Sequence, residues 1–225
     1  MLICVANVLS VDELATIVAQ LDKATFVDGK LTAGWHARLV KHNTQVQDDG
    51  SGLLPELQRL VQDAIDRHPL FQVAARPKVM RSPLFSRYEP GMSYGTHVDN
   101  ALMGNGANRI RSDLSLTLFI SDPETYDGGE LVIESTQGEQ VFKLAAGAMI
   151  LYPSSTLHRV EPVTRGLRLA AVTWVQSWVR EMNDREILFD LDTARQLLFE
   201  KFGKTPEFDL ISKSHANLLR KWAEL

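Results

Sequence analysis

Apolar positions recur at helical spacing near the start of the chain. Leu14, Ile17, Val18 and Leu21 form one stripe. Ser10-Val11-Asp12-Glu13 precedes them, and a serine with a glutamate three residues on can cap each other's free backbone N–H groups, so a first helix follows. Trp35 to Val46 reads as strand. Gln47-Asp48-Asp49-Gly50-Ser51-Gly52 is a polar turn-forming loop, and Leu57, Leu60, Val61, Ala64 and Ile65 share one face of a second helix.

From Val73 onward short strands take over: Pro77 to Ser82, Leu84 to Tyr88, Ile110 to Ser121, Leu131 to Glu134, Gln140 to Leu144 and Met149 to Tyr152. Two further strands, Leu157 to Val163 and Leu167 to Trp174, flank Thr164-Arg165-Gly166, a candidate hairpin loop. Short strands separated by Gly and Pro turns, with no helices between them, predict two sheets folded together as a jelly roll, or double-stranded β-helix. After Trp178 helical spacing returns. Asp184 to Phe202 carries Ile187, Leu188, Leu191, Ala194, Leu198 and Phe202, and Thr205-Pro206 caps a last helix bearing Phe208, Leu218, Leu219 and Trp222. The fold class expected is mainly β with flanking α. It divides into an N-terminal segment 1–77 of helices and strand backing the core, a jelly-roll domain 78–178 and a C-terminal helical segment 179–225.

Composition narrows the function. A chain of 225 residues can bury a substantial core. A net charge of −4 with pI near 5.9 leaves no basic footprint for nucleic acid. One cysteine, Cys4, excludes an internal disulfide and fits a reducing compartment. The apolar start lacks a basic n-region, so no signal peptide is expected, and no run is long enough to span a bilayer. The expected location is the cytoplasm.

The candidate chemistry lies between Tyr94 and Arg168. In an extended strand alternate side chains point the same way, so His97 and Asp99, about 6.6 Å apart along the strand, can reach one ion together. His158 must be brought to them by the fold. Two histidines and a carboxylate are the set that non-haem Fe(II) oxygenases use to hold iron on one face, leaving other positions open. A hairpin centred on Arg165 would pair residue 162 with 168 and 158 with 172. That would put His158 and Arg168 on one face, about 13 Å apart at the backbone. A guanidinium there could clamp the far carboxylate of a five-carbon diacid whose other end chelates the metal, a geometry that suits 2-oxoglutarate.

These residues carry a family resemblance. Phe85 to Asn100, with its His97-Val98-Asp99, together with Tyr126-Asp127-Gly128-Gly129-Glu130-Leu131 and the stretch Gly147 to Arg168, resembles the Fe(II)/2-oxoglutarate dioxygenases. Within them it resembles the bacterial PKHD-type hydroxylases, which are similar to the prolyl 4-hydroxylase catalytic domain. The resemblance implies a jelly roll holding Fe(II) by His97, Asp99 and His158, with Arg168 holding the distal carboxylate of 2-oxoglutarate and Tyr88 hydrogen-bonding it. It also implies O2 as co-reactant, decarboxylation to succinate and CO2 coupled to hydroxylation, and L-ascorbate as the rescuing reductant. A family association with iron-siderophore uptake comes with it, but no particular small-molecule or peptidyl substrate is carried over.

Other features have plainer readings. His36, His42, His68 and His215 read as ordinary surface or core histidines, and Glu130 as part of a turn. Asn100 to Arg109 is either a lid over the site or a surface loop. The C-terminal amphipathic helices offer a homodimer interface or a cover for the roll. Two rival functions stay open: a cupin-like metal enzyme needing no 2-oxoglutarate, and a non-catalytic jelly-roll sensor of iron or a diacid.

Overall fold

The computed structural model describes residues 1–225. The strands in chain order are β1 (Ile3–Val5), β2 (Phe26–Asp28), β3 (Lys41–His42), β4 (Thr44–Val46), β5 (Pro77–Met80), β6 (Leu84–Tyr88), β7 (Ser93–His97), β8 (Leu102–Met103) and β9 (Ile110–Arg111). They continue with β10 (Leu114–Phe119), β11 (Asp127–Gly128), β12 (Leu131–Ser135), β13 (Gly138–Phe142), β14 (Met149–Pro153), β15 (His158–Val160), β16 (Val163–Arg165) and β17 (Arg168–Ser177). The helices are α1 (Val11–Leu21), α2 (Leu53–Asp66), α3 (Pro69–Ala75), α4 (Met182–Phe202) and α5 (Pro206–Trp222).

Two antiparallel sheets make the core. The larger runs β1-β14-β10-β17-β6-β4-β2, with β5 also on β17, and the smaller runs β13-β12-β15-β7-β3. The larger sheet is covered on both faces, which explains why all six residues of β10 are buried. Leu114, Leu116 and Leu118 join the main apolar core with Ile17, Leu57, Val61, Ile65 and Phe71 of the N-terminal helices. Between them, Ser115 and Thr117 line a cavity lying between the sheets. A second apolar cluster of Tyr88, Phe119, Leu131, Ile133, Ile150, Tyr152, Val160 and Val163 closes the roll beside that cavity.

The helices form where spacing and capping place them. The Ser10 hydroxyl accepts from the Glu13 N–H, and the Glu13 carboxylate accepts from the Ser10 N–H at 2.9 Å. Arg67 at the end of α2 donates to both Glu13 carboxylate oxygens at 2.6 Å, tying the two helices together. No helix is long and apolar enough to cross a membrane.

The structure departs from the sequence expectations in four places. Ile110 to Ser121 is not one strand but two, β9 paired with β8 in a small separate sheet and β10 in the larger one. Trp35 to Val46 is not one strand: a 3-10 turn at Ala37–Leu39 leads into β3, which pairs with β7 in the smaller sheet, and after Asn43 the chain crosses to β4 in the larger one. Helix α3, begun by Pro69, precedes the strand-rich region. The hairpin between Leu157–Val163 and Leu167–Trp174 does not form. β15 pairs with β12 and β7, whereas β17 pairs with β10 and β6 in the other sheet. Thr164 and Arg165 belong to β16, with Arg165 opposite Asp127 of β11. Gly166, at φ 75°, carries the chain across where an added Cβ would come within 2.1 Å of the Thr125 carbonyl oxygen. In a two-sheet roll a short glycine-containing connection serves as a crossover as readily as a hairpin, and pairing β15 with β7 buries His158 and Val160.

Candidate active site

The smaller sheet brings the two histidines together. His158 of β15 stands directly opposite His97 of β7, with ring centroids 4.2 Å apart. Both rings are buried, at 6 % and 5 % exposure for His97 and His158. Each uses Nδ1 on a backbone carbonyl two residues earlier: His97 on Gly95 at 2.8 Å, His158 on Thr156 at 3.1 Å. An N–H donated there leaves the Nε2 lone pair free for a ligand. Asp99 follows β7 on the same side as His97, while Val98 turns outward. Its Oδ1 is 4.0 Å from His97 Nε2 and its Oδ2 is 3.7 Å from His158 Nε2.

The three donors lie within 4.8 Å of one another, close enough to converge on one ion. Two imidazoles and a carboxylate suit a borderline divalent metal such as iron. Burial, with the neighbouring His158 ring adding to it, holds the His97 pKa well below its usual range, so the ring is neutral at pH 7. Tyr94 stacks on His97 at 3.7 Å, and Tyr152 meets His158 edge-on at 5.2 Å. Burial holds the Tyr152 hydroxyl well above its usual range, so it stays neutral beside the cluster.

Asp99 is itself oriented. Ser115 Oγ, on the cavity face of β10, donates to its Oδ2 at 2.6 Å and shares a 2.8 Å hydrogen bond with Ser154 Oγ. Groups that orient a ligating carboxylate typically contribute 10- to 100-fold in affinity. Ser115→Ala is therefore expected to weaken Fe(II) binding by about tenfold with little change in melting temperature, measured anaerobically against a chromophoric chelator.

The larger sheet supplies Arg168. It begins β17, pairs in register with Tyr88 of β6, and is 2 % exposed. Its guanidinium carbon lies 5.0 Å from the Tyr88 ring centroid and 5.6 Å from that of Phe119. No carboxylate pairs with it, and its Nε and Nη2 have no hydrogen-bond partner. A buried charge left in that state is costly unless a ligand completes it. Gly129, at φ 68°, makes the room: an added Cβ would lie 2.9 Å from Arg168 Cδ. The Gly128-Gly129 turn thus has a physical role beside the cation.

These groups face one cavity of about 480 Å³, whose wall includes Tyr88, His97, Asp99, His158 and Arg168. Asn100, Leu102, Met103, Gly104 and Asn105 line its mouth. Sequence reasoning missed the wall formed where the chain passes from one sheet to the other beside β7 and β6. Lys41, Asn43 and Gln45 point inward from β3 and β4 and are buried, while His42 between them is exposed. A period-two run in which every residue is polar looks the same whether its inner face meets solvent or a cavity, so only the fold reveals it.

The comparisons agree with this architecture. The 2OG-Fe(II) oxygenase superfamily model matches residues 83–176, and the PKHD-type hydroxylase C-terminal domain model matches residues 183–224. A PKHD-type hydroxylase from Synechococcus sp. is 60 % identical over 225 residues, covering 100 % of both chains. One from Gloeothece citriformis is 58 % identical over 224 residues, again covering 100 % of each. Among solved structures, a prolyl hydroxylase from Trichoplax adhaerens, in complex with a hypoxia inducible factor peptide fragment, aligns with TM-score 0.56 at 15 % identity, covering 77 % of this chain and 82 % of that one. A Pseudomonas putida prolyl-4-hydroxylase aligns with TM-score 0.53 at 20 % identity, covering 78 % and 92 %. Two facing antiparallel sheets with a His-Asp-His cluster between them define the 2OG-Fe(II) oxygenase class of fold. The chain belongs to the PKHD-type hydroxylase family within that superfamily.

Proposed function

We propose that the protein is an Fe(II)- and 2-oxoglutarate-dependent hydroxylase whose iron is held by His97, Asp99 and His158 and whose cosubstrate is anchored by Arg168 and Tyr88. The observation that carries this reading is the buried guanidinium of Arg168, unpaired and facing the same cavity as the three metal-type donors. A cupin-like enzyme without a diacid cosubstrate has no use for such a group.

Bound iron with 2-oxoglutarate supplies O2 activation, coupling loss of CO2 and formation of succinate to hydroxylation of a substrate. The chain's own residues prepare for it. Gly95 and Thr156 carbonyls fix the ring orientations of His97 and His158, and Ser115 holds Asp99. Arg168 offers a planar fork to a carboxylate, against the faces of Tyr88 and Phe119. The apolar cluster beside the site, with Leu131, Ile150 and Val160, excludes water, which strengthens each of these electrostatic contacts.

The same reading carries ascorbate as reductant, a cytoplasmic setting, and a small-molecule or peptidyl substrate. It divides the work among residues 1–77 as one wall, 78–178 as the catalytic roll and 179–225 as a helical cover. Exposed Leu197, Phe199, Phe202 and Leu210 on α4 and α5 support a homodimer through those helices. Anaerobic protein mixed with Fe(II) and 2-oxoglutarate is expected to develop the weak visible charge-transfer band of the chelated cosubstrate, and O2 is then expected to release succinate. A band with no succinate under any substrate condition would favour a sensor, and no band at all would end the proposal.

A further inference from the structure

The charges around the cavity do not balance. Its ionised wall residues are Lys41, Arg81, Arg168 and Asp99. On the functional reading above, iron with Asp99 and 2-oxoglutarate with Arg168 form a set with no net charge. Two cations are left over. Neither has a carboxylate partner: Lys41 Nζ donates only to Thr32 Oγ1 at 3.0 Å, and Arg81 Nη1 reaches only the Asn108 carbonyl at 3.5 Å.

Lys41 is the more telling of the two. It is 5 % exposed, although lysines are almost never so buried without a partner. It pairs in register with Tyr94, the residue stacked on His97, and its ammonium stands 5.1 Å from the Tyr94 ring. It therefore lies beside the proposed metal cluster, with neighbours distinct from those of Arg168. A chain of hydrogen bonds aims it: Lys41 donates to Thr32, Thr32 to Gln45 Oε1 at 2.5 Å, and Gln45 Nε2 to Ser86 Oγ at 3.0 Å. Neighbouring Asn43 is buried with both amide atoms lacking a partner. On the far side, Arg81 Nη1 would lie 2.8 Å from a Cβ placed on Gly104, so it sits against the Asn100–Asn105 rim.

We infer that the substrate of this enzyme carries an oxyanion, carboxylate or phosphate, received by Lys41 on the inner wall, with the Arg81 charge at the mouth favouring its entry. The inference rests on the functional reading above, and its test separates the two. Protein is loaded with Mn(II) and saturating 2-oxoglutarate, and paramagnetic relaxation is followed by phosphorus NMR of inorganic phosphate and by carbon NMR of acetate. At least one anion is expected to show saturable relaxation, with affinity falling about tenfold or more in Lys41→Met and by less in Arg81→Gln. Preference for phosphate points to a phosphorylated substrate, and preference for acetate to a carboxylic acid. Absence of saturable relaxation overturns the inference. So does equal relaxation in the wild type and both variants, the behaviour of an anion that ligates only the metal. Failure to bind Mn(II), or a Mn(II) spectrum unmoved by 2-oxoglutarate, overturns the functional reading and this inference with it. Lys41→Met keeps the side-chain length and Arg81 is partly exposed, so circular dichroism of two separate variants guards against misfolding as the cause.

Discussion

Arg168→Met is expected to move stability and cosubstrate binding in opposite directions. The wild-type guanidinium is buried with Nε and Nη2 unpartnered, so the ligand-free protein bears the cost of an uncompensated charge. A methionine of similar reach removes that cost and packs against Tyr88 and Phe119. The ligand-free melting temperature should rise by a few degrees, corresponding to about 1–2 kcal/mol. Two charge-assisted hydrogen bonds to a carboxylate are lost at the same time, so affinity for 2-oxoglutarate should fall by roughly a hundredfold or more. Calorimetry and a titration of the anaerobic charge-transfer band measure the two effects. A lower melting temperature with unchanged 2-oxoglutarate affinity would make Arg168 a structural cation and remove the central support for the proposed function.

Asp99→Ala is expected to weaken Fe(II) binding by at least about a hundredfold, more than the loss of an orienting group, because it removes a charged donor outright. The fold should survive. Asp99 lies just beyond the end of β7, accepts its hydrogen bond from Ser115 rather than from the sheet ladder, and contributes nothing to either apolar cluster. The expected result is an unchanged far-ultraviolet circular dichroism spectrum, loss of succinate release, and loss of the stabilisation that added Fe(II) confers on the wild type. Asp99→Asn separates charge from shape: a neutral amide in the same place should recover only a small part of the affinity. Global unfolding of either variant would mean that the carboxylate holds the roll together rather than a metal.

Much of this was readable one residue at a time, where short-range physics decides. The capping box at Ser10 and Glu13, the stripe of α2, and the Leu84–Tyr88 strand depend on neighbours a few residues away and form where the pattern puts them. His97 and Asp99 share a side because alternation is a property of extended backbone. The placement of Arg168 is different. Its expected parity with His158 assumed a hairpin that does not exist, and the two residues face the cavity from opposite sheets.

By itself the sequence determined the local elements, the alternation around His97, and the donor types that suit a divalent metal. The tertiary structure alone decided which strands pair, and with that the meeting of His158 with His97, the burial of Arg168 to Ala171 at the start of β17, and the polar wall of Lys41, Asn43 and Gln45. The reason is range. Helix caps and strand alternation are governed by contacts a few residues apart, whereas a two-sheet roll pairs strands tens of residues apart. Whether a polar strand face meets water or a cavity depends on what the rest of the chain lays against it.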